Sequence, residues 1–76
     1  MHEIIATSLM RAAQGWTEHP TLDGTYLFQC GDATMRILPG GSWECKIPVG
    51  LVQDIRRGTI HELARFLEDF EDENHY

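Results

Sequence analysis

Apolar residues in the opening stretch fall at Ile5, Leu9, Ala12 and Ala13, the i, i+4, i+7, i+8 spacing of one helix face. That spacing predicts a helix from Glu3 to about Gln14. Gly15 is placed to end it, and Trp16 extends the stripe just past the end. A strand through Ile4-Ile5-Ala6-Thr7 is the competing reading. Residues 17–24, Thr-Glu-His-Pro-Thr-Leu-Asp-Gly, are polar and punctuated by Pro20 and Gly24, which predicts a loop.

The pattern then changes to period two. Tyr26, Phe28 and Cys30 alternate with Leu27 and Gln29, and Gly31-Asp32 supplies a two-residue turn. Such a turn sets Cys30 opposite Ala33, Phe28 opposite Met35 and Tyr26 opposite Ile37. If Pro39-Gly40-Gly41 forms the next connection, Ile37 faces Trp43, Met35 faces Cys45 and Ala33 faces Ile47. Both turns place these side chains on one face of a three-stranded meander, and a one-residue slip in either would send half of them into water. The opposite face then carries Thr25, Gln29, Thr34, Arg36, Ser42, Glu44 and Lys46, with Arg36 directly across from Glu44.

After Pro48, the positions of Leu51, Val52 and Ile55 predict a short helix ending at Gly58. Thr59 and Glu62 form a capping-box pair that starts the final helix. Its apolar stripe runs through Ile60, Leu63, Ala64, Leu67 and Phe70, with Phe66 on the flank. The expected fold is α+β in the order α-β-β-β-α-α: a three-stranded antiparallel meander with helices packed on one face. At 76 residues it is one domain, 1–76.

Charge adds a second layer to this picture. The formal net charge is −6, but residues 1–58 balance six acids against five bases. Residues 59–76 carry Glu62, Glu68, Asp69, Glu71, Asp72 and Glu73 against Arg65 alone, so most of the excess sits in the last quarter of the chain. Such a balance opposes direct binding to nucleic acid or anionic lipid. No apolar run approaches the roughly 18 residues of a membrane span, and Met1-His2-Glu3 does not resemble a signal peptide. The expected location is the cytoplasm.

Candidate chemistry is sparse. Cys30 and Cys45 fall on outer strands of the meander, about 9.5 Å apart across two strand spacings. That exceeds the reach of a disulfide and predicts two free thiols, as in a reducing compartment. Neither has a neighbour in sequence that would lower its pKa. His2, His19, His61 and His75 lack the close ligand pairs of a zinc site. Pro39-Gly40-Gly41-Ser42 lacks the Lys-Ser/Thr of a phosphate loop, and Ser42 lacks the context of an acyl-transfer nucleophile. No catalytic residue, metal or cofactor is expected, and the protein is read as a non-enzyme.

The α-β-β-β-α order resembles that of double-stranded-RNA-binding domains. Those domains hold phosphate with a basic cluster at the start of the last helix, where this chain has Thr59-Ile60-His61-Glu62-Leu63-Ala64-Arg65. RNA binding is therefore not implied. The remaining feature is the acidic run Glu68-Asp69-Phe70-Glu71-Asp72-Glu73, set at a helix C-terminus where the dipole favours cations. In size, acidity and single-domain α+β layout the chain is similar to small phage-encoded inhibitors of the anti-CRISPR kind. The resemblance implies an inhibitor that occupies a basic surface of a nucleic-acid-handling complex and blocks nucleic-acid binding. The expected partner-binding residues are Glu68, Asp69, Glu71, Asp72 and Glu73, with Phe66 and Phe70 as aromatic anchors and Tyr76 as a further aromatic. An antitoxin that neutralises a basic toxin fits the same features. So does a self-associating structural or assembly module, a homodimer nucleated by Leu27 and Leu38.

Overall fold

The computed structural model describes residues 2–74, with side chains through Glu71. Its elements are α1 (His2–Ala12), β1 (Thr17–His19), β2 (Tyr26–Cys30), β3 (Ala33–Ile37), β4 (Trp43–Val49), β5 (Val52–Gly58) and α2 (Ile60–Asn74). The class is α+β, and the five strands form one antiparallel sheet in chain order, β1-β2-β3-β4-β5.

The central hairpins take the register that their turns demand. Tyr26 pairs with Ile37, Phe28 with Met35 and Cys30 with Ala33 across Gly31-Asp32. Ile37 pairs with Trp43 and Met35 with Cys45 across the second loop. Gly40 and Gly41 both take φ of +96°, a conformation other residues rarely adopt, and Leu38 N donates to Ser42 O at 2.8 Å to close the loop. Phe28, Met35, Ile37, Trp43 and Cys45 thereby share one face, and Ala6, Met10 and Leu63 from the two helices bury it.

Three expectations are corrected. Residues 17–19 are an edge strand, with Thr17 opposite Gln29 and His19 opposite Leu27. The sequence Thr-Glu-His carries no apolar signal because its inward position is Glu18, opposite Phe28, whose carboxylate is held by Arg11 of α1 at 3.0 Å. Residues 52–58 are a strand, not a short helix. Gly50, at φ +64°, makes a two-residue turn with Leu51, so Val49 meets Val52 and pairing runs unbroken to Trp43 and Gly58. A helix of under two turns would have had few internal bonds to set against that ladder. The sheet therefore has five strands where three were expected, which also separates the chain from the element order of the RNA-binding domains.

The third correction concerns α1. It turns Ala6, Thr7 and Met10 to the core, with Leu9 half-buried, while Ile5 is 48% exposed and Ala12 lies outside. Burying a threonine is tolerated because Thr7 Oγ1 donates to the carbonyls of Glu3 and Ile4 at 3.0 and 2.9 Å. Helix α2 starts as predicted. Thr59 O accepts from Glu62 N at 3.0 Å and Leu63 N at 3.2 Å, and the Thr59 hydroxyl donates to Glu62 Oε1 at 3.3 Å. The Trp43 indole fixes this corner by donating Nε1–H to Thr59 O at 2.7 Å.

Candidate functional site

The acidic run lies on α2, and helical geometry sorts it into two sets. Residues 66 and 70 are one turn apart and share a face, whereas 68, 69 and 71 project elsewhere. Glu68, Asp69 and Glu71 are all exposed. None of the three makes an ion pair within 4 Å among the described residues. The side chains of Asp72 and Glu73 lie outside the described set, as do His75 and Tyr76.

Phe66 and Phe70 occupy the other face. Phe70 is 9% exposed, with its ring centroid 5.1 Å from that of Trp16 and 6.0 Å from that of Phe66. Phe66, half-buried, lies 4.8 Å from Trp43. The two aromatics named as anchors are thus built into the seam between α2 and the sheet. They hold the acidic turn in place from beneath. Ala64 is exposed, which leaves Ile60, Leu63, Phe66, Leu67 and Phe70 as the working stripe of α2.

Beside the acids, a groove of about 500 Å³ runs between the end of α1 and α2. Leu9, Ala13, Trp16 and Leu67 give it an apolar floor, and Glu68 and Glu71 stand on its lining. The groove is open because Ala12, Ala13 and Ala64 are small where the helices approach. An apolar side chain flanked by cations fits its chemistry.

The opposite face of the molecule has a different sign. The strand register sets Arg36, Glu44 and Arg57 in one row and Lys46 beside Ile55 in the next, all on the side away from the helices. Glu44 does not pair with Arg36, its cross-strand neighbour. Its carboxylate is taken by Arg57 at 2.8 Å, with Lys46 at 3.9 Å, because β5 brings a second arginine alongside. The Arg57 hydrogen bond holds Glu44 below the usual carboxylate range. On the strands three cations stand against one acid, and Asp23 in the neighbouring loop approaches Arg36, which leaves this sheet face net positive. Arg36, Glu44 and Lys46 are legible on this face from the meander register, and Arg57 joins them because residues 52–58 form a strand.

The remaining candidates are placed as follows. Cys45 is fully buried and Cys30 half-buried, and both are free thiols. Burial pushes the Cys45 thiol up to about 12, which removes it as a nucleophile near neutral pH. His2 and His61 are exposed and His19 is half-buried. Among the described residues no group of three or more His, Cys, Asp or Glu converges on a point that would hold a metal ion. None of the described helices is long and apolar enough to cross a membrane. No protein-family model, curated protein or solved structure matches the chain.

Proposed function

We propose that this protein is a non-enzymatic inhibitor that docks its acidic α2 face on a cationic surface of a nucleic-acid-handling complex and blocks access of nucleic acid. The observation that supports this most directly is the sorting on α2. Glu68, Asp69 and Glu71 are exposed and make no ion pair among the described residues, over an aromatic seam that fixes their spacing. Acids held on a folded surface lose little conformational freedom on binding, and cationic grooves concentrate negative charge. The apolar groove next to them offers a non-electrostatic contact for the same partner, which a solvated acidic tail would lack. The opposite polarity of the sheet face favours one orientation of approach.

The test is the combined reversal Glu68→Lys, Asp69→Lys, Glu71→Lys and Asp72→Lys. A partner captured by the wild type is titrated with both proteins at several salt concentrations, with competition by the partner's own nucleic acid. The expected result is loss of binding by about 100-fold or more, salt-sensitive wild-type affinity, and mutual exclusion with nucleic acid. The fold should survive, because the three described acids lie outside the buried stripe and oppose the helix dipole. Unchanged affinity in the reversed protein, or simultaneous binding of nucleic acid, overturns the proposal.

A further inference from the structure

The two edges of the sheet are built differently. Strand β1 is three residues long and is followed by Pro20, which ends its pairing. Strand β5 is seven residues long, contains no proline, and pairs with β4 through seven consecutive positions without a bulge. Among the described residues no strand lies on its other side. Natural sheets usually blunt such an edge by shortness, proline, a bulge or unmatched charge. Here only charge is present, so its arrangement decides what the edge does.

We propose that β5 pairs antiparallel with β5 of a second copy, centred on Ile55, to join the two sheets edge to edge. The two-fold axis of such a pairing is perpendicular to the sheet and keeps both helix layers on one side. Residues that face each other across it must share a sheet face, so the axis passes through a residue position. Three central registers are available. Centring on Asp54 opposes it to the partner's Asp54, and centring on Arg56 opposes it to the partner's Arg56. Like charges directly across strands destabilise pairing. Centring on Ile55 sets Asp54 against the partner's Arg56, twice by symmetry, and Ile55 against its own copy. Ile55 is also the middle residue of β5, so this register alone uses the full strand.

The side chains are placed for it. Asp54 and Arg56 lie on one face and already reach each other within the strand, with Nε to Oδ2 at 3.0 Å. Opposed to their copies, they form an alternating square of charge. Ile55 is 43% exposed and Val52 67% exposed, apolar surface that the pairing covers. Opposite Val52 stands the partner's Gly58, which has no side chain to obstruct it. Asp69 borders this edge across a pocket that Arg56 and Arg57 also line, whereas Glu68 and Glu71 stand on the groove between the helices, so reversing Glu68 and Glu71 tests the docking proposal without touching the strand pairing.

Sedimentation velocity of the full chain at concentrations up to about 1 mM tests the inference. The wild type is expected to form a dimer that dissociates on dilution. Asp54→Arg or Arg56→Asp should each weaken it by about tenfold or more, as both symmetric contacts change from attraction to repulsion. The double variant Asp54→Arg with Arg56→Asp restores opposite charges across the axis and should recover the wild-type dimer. Circular dichroism confirms that each variant is folded. The double swap keeps the wild type's net charge, so it decides the question even where a single reversal unfolds the chain. A wild type that stays monomeric, single reversals that dimerise normally, or a double swap that fails to dimerise would overturn the proposal.

Discussion

Cys45 lies at the middle of the helix-covered sheet face with no exposed surface, and its ionisation is set by that position. Desolvation raises the thiol from an ordinary 9.0 to about 12, with the nearby Asp54 carboxylate adding to the shift. The folded value lies above the unfolded one. Its contribution to stability is therefore complete below pH 9.0 and is lost as the pH climbs through about 12, because only the unfolded chain can ionise in that window. Urea midpoints measured from pH 8 upward should fall across this range, and Cys45→Ala should fall less steeply than wild type from a lower starting stability. In the native protein a thiol reagent should modify half-buried Cys30 first, with Cys45 following only as the chain opens. Equal labelling rates would contradict the buried placement.

At the scale of elements, the junction between β5 and α2 depends on a missing side chain. A Cβ added to Gly58 would come 2.7 Å from Cζ2 of Trp43, so the indole would have to move. That movement breaks the bond from Nε1 to Thr59 O and loosens the packing of Trp43 on Phe66. Gly58→Ala should therefore destabilise the fold by about 1–3 kcal/mol in urea titrations, although alanine normally favours ordered backbone. The central hairpins were legible in the sequence because Gly31-Asp32 and Pro39-Gly40-Gly41 each restrict the chain to a narrow set of turns. Strand β5 was not. It is exposed on both faces near its tip, so Val52, Asp54 and Arg56 alternate with Gln53, Ile55 and Arg57 without any apolar rhythm. The exposed acids of α2 could be read from spacing alone. The inward turn of Phe66 could not, because it depends on where Trp43 lies across the sheet.

For the whole molecule, charge separates by layer. The helix side carries the exposed Glu68, Asp69 and Glu71 of α2, while on the strands of the bare sheet face Arg36, Lys46 and Arg57 outnumber Glu44. A body with this asymmetry turns as it approaches a cationic target, and the far-side cations reduce its overall attraction. Arg36→Gln together with Lys46→Gln should raise the association rate with a cationic partner a few-fold at low salt and leave the dissociation rate unchanged, as surface plasmon resonance would show. A slower dissociation would place those residues in the interface itself.

The order of the sheet also governs how the chain is exposed while it is being made. Every strand pairs with its neighbour in sequence, so the sheet is able to zip up hairpin by hairpin from local contacts. Its cover is not local. Ala6 and Met10 arrive with the first element and Leu63 with the last, and both are needed to close over Phe28, Met35, Ile37 and Trp43. Until α2 has left the ribosome, a paired sheet with an oily face waits half-covered, and the chain is most open to chaperones and to aggregation in that interval. The acids that follow Phe66 emerge just as the face closes, so a single helix both completes the core and gives the surface its charge.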